Sequence, residues 1–119
     1  MPGARSPQGL ALPQDFVFGV SSSAVQVEGA SDVDGRGPSI WESFADLHAT
    51  IKDGSRPGIG VDHYRHVDED VALLRDLGVD SYRFSIGWSR VLPEGRGRVN
   101  RAGLDHYDRL VDQLLEAGI

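Results

Sequence analysis

The sequence has no cysteine, no lysine- or arginine-rich run, and no apolar stretch as long as a membrane-spanning helix. Without cysteine the chain has neither a disulfide framework nor thiolate chemistry, which suits a reducing compartment. The formal net charge of -6 over 119 residues argues against a nucleic-acid partner. Residues 1–12 contain no apolar core of signal-peptide length. We therefore expect a cytoplasmic chain with no membrane partner and a disordered tail over residues 1–11.

Motifs for phosphate, cofactor and metal binding are also missing. There is no Walker phosphate loop and no nucleophile elbow. The glycines of residues 95–97 resemble half of a dinucleotide fingerprint, but Asn100 stands where the third glycine should be and begins a helix after a loop. His63 and His66 have the i, i+3 spacing of a conceivable metal site near Asp62, although histidines at a helix start are more often structural or solvated. We expect no cofactor and no metal.

The composition is that of a globular protein, with 39% apolar and 25% charged residues. Residues 16–20 form a short apolar run between Pro13 and three serines, which predicts a buried strand. A long irregular stretch rich in glycine, aspartate, serine and proline follows over residues 30–60. Inside it, Ser39 and Glu42 match a capping box and predict a short helix over residues 40–48.

Beyond residue 62 the pattern predicts helix, strand and helix. The first helix has Val67, Val71 and Leu74 on one face and Gly78 as its C-cap. Residues 79–86 alternate between polar and apolar side chains, which predicts a strand. Asn100 caps the second helix, whose apolar stripe is Leu104, Tyr107, Val111 and Leu114 and which Gly118 closes. The order strand, helix, strand, helix implies an α/β fold with parallel strands and right-handed crossovers. Because two strands cannot make an independent α/β domain, the chain is expected to need the rest of a larger sheet.

Small residues followed by polar ones make residues 16–29 the most informative segment. Gln26 and Glu28 follow the serine run and offer several hydrogen-bonding atoms, which suits a hydroxyl-rich ligand. A solvated loop or a pair that caps the backbone fits the same residues equally well. Trp88, just after the second predicted strand, is either a platform for a sugar ring or a packing residue, and Trp41 is expected in the core.

Arg83 lies on the strand face opposite Tyr82, Phe84 and Ile86. If that apolar face packs against the helices, Arg83 points to the interior, where a guanidinium needs an anionic partner. Asp80 points the other way, so the partner has to come from elsewhere. A catalytic carboxylate, an anionic ligand and a structural ion pair remain alternatives from the strand alone.

Motifs spread in order from Leu12 to Ile119 resemble the N-terminal quarter of family-1 glycoside hydrolases, the β-glucosidase and β-galactosidase family. The longest are DGRGPSIW, YRFSI and WSRVLP, at residues 34–41, 82–86 and 88–93. Shorter matches cover residues 12–19, 26–29, 62–64, 69–71, 77–79 and 103–105, with Tyr107 and Leu110.

The resemblance implies a (β/α)₈ barrel of which this chain supplies the first two β/α units, with the active site at the C-terminal ends of the strands. On this basis Gln26 resembles the glutamine that binds hydroxyls of the non-reducing sugar. Arg83 resembles the arginine that contacts the nucleophilic glutamate and keeps it ionised. Glu28 is expected to anchor its loop. Val25 departs from the family, which usually carries an aromatic residue before the glutamine, and Gly87 replaces a frequent serine.

The implied activity is retaining hydrolysis of a small-molecule β-glycoside, which requires two carboxylates about 5 Å apart. In the family both glutamates belong to later strands, so the chain is expected to carry part of the sugar pocket, no catalytic carboxylate and no activity alone. The alternatives are a non-catalytic remnant or split-gene product that binds sugar or a partner, and part of a 6-phospho-β-glycosidase.

Overall fold

The computed structural model describes residues 9, 11–47 and 50–119. These residues contain two short strands and five α-helices, with a 3₁₀ helix at His63–Arg65. The strands are β1 (Gly19–Ser21) and β2 (Ser81–Arg83). The helices are α1 (Ala24–Val27), α2 (Ile40–Asp46), α3 (Val67–Leu77), α4 (Trp88–Val91) and α5 (Arg101–Glu116). The predicted disordered tail lies, apart from residues 9 and 11, outside the described residues.

The two strands pair in parallel, as predicted. Gly19 is opposite Ser81, Val20 opposite Tyr82, and Ser21 opposite Arg83. The strands approach closely at Gly19, since a Cβ there would lie 2.4 Å from Ser81 Oγ and that hydroxyl would have to rotate away. Both strands are shorter than the segments predicted for them, the apolar run over residues 16–20 and the alternating pattern over residues 79–86, because each is hydrogen-bonded only where its partner runs beside it.

The prediction that residues 16–20 form a buried strand is wrong for the described structure. Strand β1 begins only at Gly19, and Phe16, Val17 and Phe18 are each about half exposed. The backbone N–H of Phe18 donates to an Asp80 carboxylate oxygen at 2.8 Å, which ties this segment to the start of β2. Its apolar side chains remain exposed because β2 is the one strand beside them in the described part of the chain.

Helix α2 begins with the predicted capping box. The Ser39 N–H donates to Glu42 Oε2 at 2.7 Å, and the Ser39 side chain accepts from the backbone N–H of Trp41. Burial alone would raise the pKa of Glu42, but the hydrogen bonds from Ser39 and the nearby Arg36 guanidinium lower it below its ordinary value. The helix ends at Asp46, and its predicted last residue, His48, lies outside the described residues.

The hydrophobic core lies between α3 and α5. Its buried residues are Val67, Val71, Tyr107, Leu110 and Leu114. Leu74, Tyr82 and Phe84 pack against this core, as their patterns predicted. Gly78 ends α3 in the left-handed region at φ +71°, which confirms the glycine C-cap.

The buried face of α5 differs from the predicted stripe. Leu110 is 1% exposed, whereas Val111 is 42% exposed. The contact face is centred on Gly103, where a Cβ would lie 2.1 Å from the carbonyl oxygen of Arg90. That contact between α4 and α5 sets the rotation of the helix, and it could not be read from the apolar pattern alone.

Asn100 is the N-cap residue of α5, but its side chain does not cap the helix. Its amide donates instead to the carbonyl oxygens of Asp34 at 2.7 Å and Arg90 at 2.8 Å. Ile86, predicted to share the buried face of Tyr82 and Phe84, is 59% exposed because β2 ends at Arg83.

Among the described helices, none is both long enough and apolar enough to cross a membrane.

The exposure of large apolar side chains predicts how the isolated chain behaves. Phe18, Trp41, Leu73 and Trp88 are each half or more exposed, on strand ends and helix faces alike. We expect the 119-residue chain alone to bind a hydrophobic dye, to lack near-ultraviolet circular dichroism and to unfold over a broad temperature range. A compact globular protein of similar length serves as the control. A sharp thermal transition from a monomer with a native near-ultraviolet signal would contradict this prediction.

Candidate functional site

The candidate site lies where the two parallel strands end. Ser21 is the last residue of β1 and Arg83 the last residue of β2, and they are paired in the ladder. Helix α1, which contains Gln26, follows β1 after two residues. Functional side chains of parallel α/β folds gather at this carboxyl edge of the sheet.

Arg83 is exposed at this edge. Its guanidinium Nη2 donates to Ser21 Oγ at 3.4 Å. The Asp80 carboxylate is engaged with Phe18, and none of the ion pairs among the described residues involves Arg83. The expected anionic partner of Arg83 is therefore not among the described residues, and its role beside a carboxylate stays a prediction.

The turn after β1 consists of α1 and residues 28–30, and it directs Gln26 and Glu28 to different surroundings. Gln26 is exposed and Glu28 is 4% exposed, so the two polar side chains do not share a face. Gln26 lines a cleft of about 590 Å³ together with Val25, Trp41 and residues 56–60. Gly60 packs closely under this turn, since a Cβ there would lie 2.7 Å from the carbonyl oxygen of Gln26. Of the two predicted ligand-binding side chains, Gln26 is thus the accessible one.

Glu28 is the centre of a buried polar network. The Tyr107 hydroxyl donates to its Oε1, and Tyr107 in turn accepts from the N–H of Gly87 at 2.6 Å. Arg90 Nε lies 3.6 Å from Glu28 Oε2, and His106 Nε2 lies 3.8 Å from Oε1. This geometry joins the turn after β1 to α4 and α5, as the anchoring role expected for Glu28 requires.

Arg90 is the most buried charged residue in the described part of the chain, at 0% exposure. Its guanidinium donates to the carbonyl oxygens of Gly29 at 3.1 Å and Ala30 at 3.4 Å, and it lies 4.2 Å above the Tyr64 ring. In the sequence Arg90 stands out only as one residue of the WSRVLP motif. Its burial could not be predicted from its neighbours, because Trp88 on the same short helix is exposed and the partners of Arg90 lie on other elements.

Burial favours the neutral forms of His106, Tyr107 and Tyr64 in and around this network. Burial and the neighbouring Arg90 cation lower the pKa of His106 to about 4, so its ring is neutral near pH 7. Burial and the Glu28 carboxylate raise the pKa of Tyr107 well above its ordinary value. Burial and the hydrogen bond to Asp34 raise the pKa of Tyr64 to about 12. Both phenols therefore remain hydrogen-bond donors, and Glu28 faces one permanent cation, Arg90.

The two histidines considered as metal ligands have protein partners. His63 is buried and its Nδ1 lies 2.6 Å from Asp70 Oδ2, while His66 Nδ1 lies 2.9 Å from the carbonyl oxygen of Asp62. The hydrogen bond to Asp62 raises the pKa of His66 above its ordinary value. The described residues contain no group of three or more side chains able to hold a metal ion.

A second cleft, of about 620 Å³, has two tryptophans in its wall. Trp41 is 50% exposed, so its predicted core position is wrong, and Trp88 is 66% exposed. The Trp88 indole N–H donates to the carbonyl oxygen of Gly95 at 2.9 Å, which holds the ring against the following loop. Exposed aromatic faces of this kind can stack on a sugar ring, so the predicted role of Trp88 as a platform for a sugar stays a prediction.

Comparison with known proteins gives one family. The sequence profile of glycosyl hydrolase family 1 matches residues 9–119. Similar curated proteins include β-glucosidase 34 of Oryza sativa subsp. japonica, 52% identical over 108 residues, and coniferin β-glucosidase of Pinus contorta, 51% identical over 108 residues. Each alignment covers 91% of this chain and 21% of the relative.

Solved structures give the same result. A rice β-glucosidase is 51% identical with a TM-score of 0.85, over 90% of this chain and 22% of that one. A family-1 β-glucosidase from Thermotoga maritima is 46% identical with a TM-score of 0.86, over 91% of this chain and 24% of that one. A β-glucosidase from the fungus Humicola insolens, solved with glucose, is 48% identical with a TM-score of 0.87, over 93% and 24%.

The chain thus spans about a fifth to a quarter of the length of these relatives, and it matches a small N-terminal part of them. The predicted partial (β/α)₈ barrel is confirmed by this similarity. The similarity does not by itself assign a role to Gln26 or Arg83.

Proposed function

Because this chain belongs to glycosyl hydrolase family 1, we propose that it forms the first two β/α units of a retaining β-glucosidase-like enzyme that hydrolyses β-glycosides at the non-reducing end. The observation that supports the proposal is that Gln26 follows β1 and Arg83 ends β2, so that both lie near the carboxyl edge of the sheet with exposed side chains. The similar proteins of known structure are β-glucosidases.

In this proposal Gln26 binds sugar hydroxyls. A side-chain amide has both a donor and an acceptor, so it can pair with two neighbouring hydroxyl groups at once. The turn under Gln26 is packed against Gly60, and the adjacent Glu28 is locked in the buried network. The amide is therefore presented from a rigid support, which reduces the entropy lost on binding.

In the same proposal Arg83 keeps the nucleophilic carboxylate of the enzyme ionised. Retaining hydrolysis needs one ionised carboxylate as nucleophile and a second carboxyl group as acid and base. An adjacent guanidinium favours the ionised form and lowers the pKa of such a carboxylate. Arg83 is exposed at the end of β2 with one hydrogen bond to a neutral hydroxyl, that of Ser21, so its charge is available to a carboxylate supplied by the remaining barrel.

The test is a chimera in which this chain replaces the equivalent fifth of the rice β-glucosidase that is 51% identical to it. We expect the chimera to hydrolyse an aryl β-glucoside and the chain alone to give no hydrolysis above buffer. The parent rice enzyme is the positive control. A second chimera that carries Gln26→Ala is expected to lose about 100-fold in kcat/KM, since the sugar hydroxyls lose their hydrogen-bond partner in the transition state.

Each outcome has one meaning. Activity in the 119-residue chain itself would contradict the barrel assignment of the two glutamates. A folded chimera without activity would contradict the proposed function and favour a non-catalytic sugar-binding protein. The phosphoglycosidase alternative is tested separately, with this chain joined to its native downstream sequence in place of the rice sequence; hydrolysis restricted to aryl 6-phospho-β-glucosides would favour it.

The cytoplasmic location and the place in carbohydrate metabolism belong to the same proposal. The cysteine-free sequence is compatible with a reducing compartment. The test is fractionation of cells that express the tagged native gene. Detection in the soluble cell fraction would support the cytoplasmic location, and detection in the secreted fraction would contradict it.

A further inference from the structure

We propose that Arg90 is a positioning residue for sugar binding, which acts by holding the turn that carries Gln26. This inference rests on the proposed function, since it concerns the geometry of the same pocket. It assigns a role to a buried side chain that lies on a different element from Gln26 and touches no solvent.

The first observation is strain in the backbone just after Gln26. Gly29 has φ +64° and Ala30 has φ +48°, so two consecutive residues lie in the left-handed region. Glycine adopts this region freely, but a residue with a Cβ such as Ala30 does so at a cost of about 1 kcal/mol or more. Surrounding structure must therefore hold the turn in this conformation.

The second observation is that the Arg90 guanidinium is hydrogen-bonded to Gly29 and to the strained Ala30. Its Nη2 donates to the Gly29 carbonyl oxygen at 3.1 Å, and its Nη1 donates to that of Ala30 at 3.4 Å. The planar fork of an arginine can serve two adjacent carbonyl groups at once, which a lysine ammonium cannot do in the same geometry. Arg90 therefore fixes the direction of the two carbonyl groups on either side of the strained Ala30 backbone angles.

The third observation is that Arg90 is itself held from three sides. Its Nε faces the Glu28 carboxylate at 3.6 Å, its guanidinium covers the Tyr64 ring at 4.2 Å, and its carbonyl oxygen accepts from the Asn100 amide at 2.8 Å. Arg90 thus links α4, at the end of the second β/α unit, to the turn after β1. A small displacement of this link moves Gln26, which lies two residues before Glu28.

The chain offers a matched control in Arg36. Its side chain is 7% exposed, pairs with Glu42 at 2.9 Å, and donates to the carbonyl oxygens of Ser31 and Gly37 at 3.1 and 3.0 Å. Arg36 is therefore a second buried arginine with one carboxylate and two carbonyl partners. None of these hydrogen bonds is with residues 24–30.

The experiment is a double-mutant cycle in the chimera, with the concentration of folded enzyme set by active-site titration. Arg90→Lys is expected to lower kcat/KM for an aryl β-glucoside about tenfold or more. When Gln26→Ala is already present, we expect Arg90→Lys to cost less than threefold, because its effect passes through Gln26. The control Arg36→Lys is expected to lower the melting temperature similarly and to have the same effect on kcat/KM with or without Gln26→Ala.

The outcomes separate the two proposals. An active chimera in which the losses of Arg90→Lys and Gln26→Ala multiply would overturn the positioning role alone. A folded but inactive parent chimera would overturn the proposed function and this inference with it. If Arg90→Lys does not fold, Glu28→Gln replaces it in the cycle, since it keeps the shape of the side chain and removes the charge that faces Arg90. We expect Glu28→Gln to show the same coupling to Gln26→Ala. Absence of that coupling would overturn the proposal.

Discussion

Replacement of Arg83 by glutamine in the chimera is expected to lower kcat by about 100-fold or more. The guanidinium is expected to orient the nucleophile and keep it ionised, and misplacement of a reacting group has effects of this order. Without the guanidinium, the pKa of the nucleophilic carboxylate rises, so a larger fraction is protonated at any given pH. The acidic limb of the kcat/KM profile should therefore move to higher pH, and the profile of an aryl β-glucoside measured from pH 4 to 8 checks it.

Two further variants distinguish charge from mere position. Arg83→Lys keeps the charge, so it should restore most of the acidic limb while it loses the planar hydrogen-bonding geometry. Arg75→Gln removes an exposed arginine whose partner is the adjacent Asp76 at 3.6 Å, and it should leave kcat and the pH profile unchanged. If Arg83→Gln has a kcat within threefold of the parent and the same acidic limb, Arg83 does not lie beside the nucleophile.

Loss of the Glu28 carboxylate is expected to give the largest change in stability. Glu28→Ala leaves the Arg90 guanidinium buried without its counter-charge and removes the acceptor of the Tyr107 hydroxyl. Breaking a buried pair in this way costs about 3–5 kcal/mol. We expect a clearly lower midpoint of urea unfolding for the chimera, followed by intrinsic fluorescence.

An exposed ion pair provides the contrast. Arg101 Nε and Asp105 Oδ1 are 3.0 Å apart, closer than Arg90 and Glu28, but both side chains are more than half exposed. Asp105→Ala should therefore cost about 0.5 kcal/mol or less. Equal midpoints for Glu28→Ala and Asp105→Ala would show that burial of the Glu28 network contributes little.

Local signals in the sequence predicted most of the secondary structure. The capping box of Ser39 and Glu42 and the glycine C-cap at Gly78 are both found in the structure. Each of these signals acts within one turn of helix, so its physical cause is contained in a few neighbouring residues. The parallel pairing of the two strands followed from the alternation of strands and helices.

Predictions that depended on neighbours outside the local segment were less accurate. Residues 16–20 are exposed where a buried strand was predicted, and Trp41 is half exposed where a core residue was predicted. Apolar character shows that a side chain favours burial, but the surface that buries it belongs to other elements. The same limit explains the stripe of α5, where Leu110 and not Val111 faces the core.

The sequence by itself determined the family, the order of two β/α units, and the positions of Gln26 after the first strand and Arg83 on the second, because these depend on motifs and on short-range periodicity. The tertiary structure alone decided that Arg90 and Glu28 meet in a buried network, that Gln26 faces outward while Glu28 faces inward, and that Ala30 is held in a strained conformation. Glu28 and Tyr107 are 79 residues apart in the chain, and Arg90 and Ala30 are 60 apart. Burial of a charge is favourable only when such distant partners converge on it, so folding of the whole segment is what selects those contacts.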